Sequence, residues 1–226
     1  MVTKVQSLQQ YMQLNQRETI QRFVGSHGGK AGLPVATNDI GCVAMLLGGS
    51  IKRVNRDAAI IMPAIGLPKL FVAAKRDDYR ELSLTAFKNI GFSVGRSAQF
   101  DVDHALARSL SLGRFEYILM NPVSCLPNRS FGSLEKDSKD RVFKNKVFEI
   151  ASITEILKIC EVAPVKRGNL AEDCLIGIIN ARESGLISKK ETEVMLDTIR
   201  NSQNNVVSES YRQVERDFEK AAKTIG

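Results

Sequence analysis

The chain has no tryptophan, only two histidines and only four cysteines among its 226 residues, and each scarcity removes a class of function. The cysteines stand at positions 42, 125, 160 and 174, and no two of them form a CxxC pair. That spacing argues against a thiolate zinc knuckle and against a disulfide framework, and scattered thiols read as small core residues in a reducing compartment. Long apolar runs are missing too. Cys42 to Leu47 and Ala58 to Met62 are far shorter than the roughly 20 residues needed to cross a bilayer, so no membrane role is expected. The opening Met1-Val2-Thr3-Lys4, followed by glutamine-rich sequence, has neither the apolar stretch nor the cleavage site of a secretory signal, and the expected location is cytoplasmic. Gly25-Ser26-His27-Gly28-Gly29-Lys30 is glycine-rich and ends in lysine. A phosphate-binding loop needs glycine where Val24 stands and Ser or Thr where Ala31 stands, so the stretch reads as a connector. No fixed-period repeat is present.

What is there is an ordinary globular composition, 43% hydrophobic and 25% charged, enough for one or two domains with a sizeable core. The formal charge is +7 and the sequence pI about 9.3. The excess is uneven: counting Lys and Arg against Asp and Glu gives +7 for residues 1–100, +2 for 101–146 and −2 for 147–226. A positive field over the first two-thirds favours a polyanionic partner, nucleic acid and DNA before RNA, because basic side chains release the counterions condensed on phosphates. A solubilising surface is the alternative explanation of the same charge.

Local patterns divide the chain. Val5, Leu8, Met12, Ile20 and Phe23 recur at helical intervals. From Ile51 to Arg76 short β-like runs alternate with turn residues, Asn55-Arg56-Asp57 and Gly66-Leu67-Pro68, which predicts an antiparallel meander. Asp77 or Asp78 then caps a helix with Tyr79, Leu82, Ala86, Phe87 and Ile90 on one stripe, and Gly91 stops it. Beyond Val147 the pattern is helical, with capping signatures at Asn169 to Glu172 and Ser188 to Glu191 and an amphipathic last segment through Tyr211, Val214 and Phe218. The expected class is α+β: a basic α+β region over 1–97, a central segment over 98–146, and a helical region over 147–226 suited to scaffolding or dimerisation. Antiparallel hairpins are expected within the first 125 residues only.

The central segment concentrates polar residues in an apolar context. Asp103-His104 ends one strand-like run, Asn121 ends a second, and Pro127-Asn128-Arg129-Ser130-Phe131-Gly132 fits a helix start. In this order the segment, over about residues 98–146, resembles the HNH or His-Me finger endonucleases, whose ββα-metal core begins with Asp-His, carries a central Asn and ends with His or Asn on the helix. Asn121 lies 17 positions after His104 and 7 before Asn128. The resemblance implies a ββα motif embedded in the chain and a nuclease, with Asn121 supporting the His104 loop.

The residue types suit that chemistry. Hydrolysis of a phosphodiester needs a base to activate water, and an imidazole titrates near neutrality. Asp103 and Asn128 offer a carboxylate and a carbonyl oxygen to Mg²⁺ (or Mn²⁺), which completes its shell with water and phosphate. Arg108, Arg129 and Lys136 are candidate clamps for neighbouring phosphates. Each residue also has a plainer reading. His104 fits a hydrogen-bonded structural histidine, Asn128 an N-cap and Asn121 a turn residue before Pro122, while Asp101 shares a strand face with Asp103 and is an alternative ligand. Adjacent strand residues point to opposite faces, so Asp103 and His104 share one site only where the strand ends or bulges. Nucleic-acid binding without cleavage, through the basic N-terminal half, is the competing function.

Overall fold

A computed structural model describes residues 7–27, 32–94, 100–124, 147–161 and 170–202. Asn128, Arg129, Lys136, the Asn169 cap and the amphipathic last segment lie outside these residues.

The fold is mixed α/β, with an antiparallel sheet built mainly by the N-terminal half and helices in the C-terminal part. The expected meander is present as β1 to β4 of the sheet take shape: β1 (Pro34–Thr37), β2 (Gly49–Asn55), β3 (Ala58–Pro63) and β4 (Lys69–Ala73). The last three are joined by the turns that the sequence marks, with β2 on β3 and β3 on β4 antiparallel. β5 (Phe100–His104) and β6 (Tyr117–Ser124) follow, then β7 (Phe148–Ile150). The strand order is β2-β3-β4-β6-β1-β7, and β5 also pairs with β6. β6 meets β4 on one side, while β5 and β1 share its other side in succession, β5 opposite 120–124 and β1 opposite 117–118. β7 departs from the expectation that strands stop by residue 125. It pairs with β1, and three residues are too few for a period-two signal to register.

Two apolar layers cover the sheet. On one face, Ala58, Ile60, Leu70, Val72, Val102 and Met120 pack under helix α3 (Tyr79–Asn89) and the start of α1 (Leu8–His27). Tyr11, Phe87 and Phe92 meet edge to face there, at centroid separations of 5.1, 5.1 and 6.0 Å, contacts worth about 0.5–1.5 kcal/mol each beyond their buried area. On the other face, Ala59, Ile61, Phe71 and Leu119 pack with the second half of α1, α2 (Ile40–Leu46), α5 (Ile153–Ile159), α6 (Leu170–Glu183) and α7 (Lys189–Ser202). A four-residue turn of helix, α4 (Arg108–Ser111), links β5 to β6. α1 thus contributes to both cores by crossing the sheet where β4 begins: Tyr11 donates to the carbonyl of Pro68, and Glu18 accepts from the amide of Leu67. Gly66 suits that crossing, since its φ of +113° strains any residue with a side chain, and a Cβ there would lie 2.6 Å from a Glu18 oxygen that would have to shift.

The predicted stops are in place. Gly91 is left-handed after α3, Gly185 is left-handed between α6 and α7, and Ser188 and Glu191 exchange the two hydrogen bonds of the capping box. Asp78 precedes α3 but makes no side-chain cap; its carboxylate is held by Arg76 instead.

Candidate functional site

β5 carries the Asp-His pair at its end, and its register decides where each side chain goes. Asp103 is the cross-strand partner of Asn121, and His104 of Met120. The ladder runs one step further, with the amide of Ala105 donating to the carbonyl of Leu119 at 2.8 Å. β5 then leaves β6, and β1 takes up the vacated edge at Ile118. Alternation sends His104 to the α3 face, where the Tyr79 ring lies over it at a centroid distance of 4.2 Å and an angle of 52°. The imidazole is buried, 4% exposed, and its Nε2 has no partner among the described residues.

Asp103 turns to the opposite face, yet its carboxylate curls back toward its neighbour. Oδ1 accepts from the His104 amide at 2.8 Å and lies 3.6 Å from His104 Nδ1. Oδ2 lies 2.9 Å from the ammonium of Lys158, which also donates to the His104 carbonyl at 2.8 Å. Burial alone would raise the Asp103 carboxyl, but the His104 imidazole and the Lys158 ammonium outweigh it and hold the group well below the usual carboxylate range.

Lys158 is delivered by a short helix fixed at both ends. Ser152 opens α5, its amide and hydroxyl both donating to Glu155 at 2.7 and 2.6 Å. Past its other end, Glu161 accepts from the Ser124 hydroxyl at 3.0 Å and so ties the helix to the end of β6. Lys158 is itself buried, as are Glu155, Ile156, Leu157 and Ile159 of the same helix.

Asn121 does not end its strand as the sequence suggested; β6 continues through Pro122 to Ser124. Proline fits here because the Val102–Pro122 pair lies between the two positions where β5 and β6 exchange hydrogen bonds, so its missing N–H faces the other side, where β4 has ended. The Asn121 side chain is 4% exposed and accepts from Asn15 Nδ2 at 2.7 Å. Asn15 Oδ1 accepts in turn from Lys69 Nζ at 2.6 Å, and Lys69 lies 3.2 Å from Glu18, which also binds Arg22 at 2.8 Å. The β4–β6 register places Lys69 level with Asn121. Asp103, Asn121 and Lys69 therefore form a polar row across three strands, under α1 and α5. Burial pushes the Lys69 ammonium down to about 8, against the opposing pull of Glu18. Glu18 would be raised by burial, but Lys69, Arg22 and the Leu67 amide together hold it low.

The proposed clamp Arg108 is engaged by the loop before α3. It donates to the carbonyls of Ala74 at 2.8 Å and Lys75 at 3.3 Å, and pairs with Asp77 at 2.8 Å. Asp101, the alternative ligand, pairs with Arg80 at 3.1 Å, away from Lys158. The structure thus sets Asp103 beside His104 and opposite Asn121 on adjacent strands, directs the imidazole to the face away from Asn121, and places Arg108 beyond the strand end, with its guanidinium committed to backbone and to Asp77.

As a divalent-cation site these residues do not fit. No group of three or more His, Cys, Asp or Glu side chains placed to hold a metal occurs among the described residues. Asp103 has both oxygens occupied, one by an ammonium, and the Asn121 oxygen is taken by Asn15. Nor is any described helix long and apolar enough to cross a membrane.

Sequence reasoning missed Lys158, Asn15, Lys69 and Tyr79 as members of this centre. Lys158 alone left a signal, a double one: it is a charged residue in the apolar run Ile156-Leu157-Lys158-Ile159, and Ser152-Ile153-Thr154-Glu155 is a capping box that marks the start of its helix. Lys69 opens an apolar strand, which reads from sequence as an ordinary solvated end. No family model, no curated protein and no solved structure matches the chain.

Proposed function

We propose that the chain is an endonuclease that hydrolyses phosphodiester bonds of nucleic acid, with His104 as the general base in a ββα motif of the His-Me finger kind. The observation that carries this reading is the state of the His104 ring: Nδ1 faces the Asp103 carboxylate while Nε2 has no partner among the described residues. A proton held on Nδ1 by the carboxylate leaves the Nε2 lone pair to take a proton from water. Asp103 orients the ring, and Asn121, fixed by Asn15, holds the strand against which β5 ends. Because Tyr79 covers the imidazole, substrate or water reaches Nε2 only when that ring moves aside. Mg²⁺ or Mn²⁺ is the cofactor that the resemblance implies; the present contacts of Asp103 leave it no oxygen there, and no step is routed through it. Arg129, Lys136 and Asn128 keep their proposed roles at the substrate backbone and the cation.

The test is nicking of plasmid DNA and cleavage of RNA by pure protein with Mg²⁺, with Mn²⁺ and with EDTA. Cleavage that His104→Ala reduces by about two to four orders of magnitude supports the assignment. Absence of cleavage with every cation and substrate overturns it.

A second reading, nucleic-acid binding without cleavage, is supported by the burial of His104 and by β2. That strand is an edge of the sheet and exposes Lys52 and Arg53, with Arg56 exposed in the turn beyond. It predicts salt-sensitive binding with no product, and an affinity independent of salt would count against it.

A further inference from the structure

We infer that β2 is a docking edge for an extended acidic segment of a partner protein, which adds to the sheet as a further antiparallel strand. β2 is an outer strand, and no described strand pairs with its other side. Its register on β3 decides which backbone groups are left open there. Ala64 donates to the Gly48 carbonyl at 3.1 Å, and the pairs run on from Gly49–Pro63 to Arg53–Ala59. Hydrogen-bonded and non-bonded pairs alternate in an antiparallel ladder, so Ser50 and Lys52 bond inward to β3, while Gly49, Ile51 and Arg53 turn their N–H and C=O groups outward. Pro63, which has no N–H to give, stands opposite Gly49 as that phase requires. The outward groups have no hydrogen-bond partner among the described residues. β2 has seven residues where β7, at the far edge, has three, and Ser50 to Arg53 are exposed on both faces.

The side chains select the partner. β2 and its turn carry Lys52, Arg53 and Arg56, while α2 and β3, which pack beside it, carry no charged residue. The next carboxylate along the chain, Asp57, is buried and held by Arg76 at 3.2 Å. Arg53 stays exposed, with its guanidinium 5.9 Å from the centre of the Tyr117 ring. Ile51, opposite Ile61, points to the α2 face and is 41% exposed, and Met45 of α2 is 77% exposed. The complement is a strand with carboxylates for Lys52 and Arg53 and an apolar residue for Ile51. A second copy does not fit, because pairing β2 with itself brings basic residues to both strands with no acid between them. Charged edge residues keep like sheets apart, and here the same charges attract an acidic strand. A nucleic-acid backbone would meet the charges, but phosphate oxygens only accept hydrogen bonds and would leave the outward carbonyls and the apolar side chains unused. β3 and β4 separate this edge from β6 and the His104 centre, so docking here does not depend on cleavage.

The probe is a fluorescein-labelled peptide, Thr-Glu-Glu-Val-Thr-Val-Thr, added to the full-length protein. Anisotropy follows binding, and nuclear magnetic resonance follows amide hydrogen exchange. The expected result is saturable binding at millimolar peptide or below. At saturation the amides of Gly49, Ile51 and Arg53 should exchange at least about tenfold more slowly, while those of Ser50 and Lys52, already bonded to β3, change little. N-methylation of the first valine, which faces Ile51, keeps the peptide charge but removes a backbone donor, and should weaken binding at least about tenfold. Lysine in place of both glutamates should abolish binding, and Lys52→Glu with Arg53→Glu should transfer binding to that lysine peptide. No binding at millimolar peptide, equal binding of the N-methylated peptide, or equal binding of the lysine peptide to the parent protein overturns the inference. A DNA duplex that binds Lys52 and Arg53 while the peptide leaves the three amides unprotected makes the edge a phosphate site and overturns it as well. The peptide variants leave the protein unaltered, so these outcomes decide even where the double charge reversal fails to fold.

Discussion

Asp103 and Asn121 face each other across the β5–β6 ladder, yet each side chain is held by a different helix, Asp103 by Lys158 of α5 at 2.9 Å and Asn121 by Asn15 of α1 at 2.7 Å. With Lys69 on β4 they make a polar row in the middle of an otherwise apolar sheet face. A row of this kind fixes register. Sliding β6 by one residue would carry the Asn121 side chain to the other face, put Met120 or Pro122 in its place and leave the buried Asn15 amide without its acceptor.

Asn15 is the hinge of the row, because it donates to Asn121 and accepts from Lys69. Asn15→Ala leaves one buried acceptor and one buried ammonium short of a partner, and the expected loss is about 1–3 kcal/mol per orphaned group. Urea unfolding measures it. Combined with Asn121→Ala the loss should be smaller than the sum of the two single losses, since both remove the same bond.

The depressed Lys69 gives a pH dependence of known sign. Its folded value of about 8 lies below the ordinary 10.5, so between these values the unfolded chain binds more protons and folding becomes more favourable as pH rises. Over that window the lysine contributes on the order of 3 kcal/mol, present in full above the ordinary value and absent below pH 8. Wild-type protein should therefore gain stability relative to Lys69→Met from pH 7 to pH 10. A difference between the two that stays flat across this range would contradict the assignment.

Asp103 acts in the same sense, in an acidic window. Its carboxyl is held low in the folded protein, so its contribution is present above the ordinary 3.8 and is lost as pH falls. At pH 7, Asp103→Asn leaves the Lys158 ammonium buried without its counter-charge, a change costing about 3–5 kcal/mol. As pH falls below 3.8 the unfolded carboxyl takes up its proton before the folded one, so the gap between the two proteins should narrow steadily with increasing acidity. Denaturant midpoints of both proteins at pH 7, 4, 3 and 2 check this trend.

Tyr79 shields the imidazole. In a His27→Ala background the His104 ring should react slowly with diethyl pyrocarbonate, and Tyr79→Ala should speed the reaction while leaving the far-ultraviolet circular dichroism unchanged. Equal rates would mean that the ring is reached by another path.

Where cleavage is observed, the variants should separate by role. His104→Ala lowers kcat by about two to four orders of magnitude and leaves nucleic-acid affinity intact, since the imidazole works as a neutral group. Asp103→Asn lowers kcat and also destabilises the fold. Lys52→Ala with Arg53→Ala spares kcat, weakens binding and flattens its salt dependence by about one per removed phosphate contact. Loss of binding by His104→Ala would point to misfolding and remove the basis for the catalytic assignment.

Much of the architecture was legible in the sequence because it is set by local chemistry. The β2–β3–β4 meander follows from apolar runs interrupted by Asn55-Arg56-Asp57 and Gly66-Leu67-Pro68, and α3 from its stripe and Gly91. The joining of α7 to α6 at Gly185 and Ser188 follows in the same way. The pairing of Asp103 with His104 at a strand end was also legible, since both lie within one short segment. What the tertiary structure decided is everything that depends on contacts between distant positions. Lys158 lies 54 residues from His104, and Asn15 lies 106 from Asn121. No periodicity within a window can place such pairs, because the energy that selects them is the desolvation of a buried charge, relieved only by whichever remote side chain the fold brings alongside. β7 is the same case in backbone form: three residues with no pattern of their own become a strand because the open edge of β1 supplies the hydrogen bonds. The sequence by itself thus determined which residues carry the charge and the imidazole, and the tertiary structure determined that the partner of Asp103 is an ammonium.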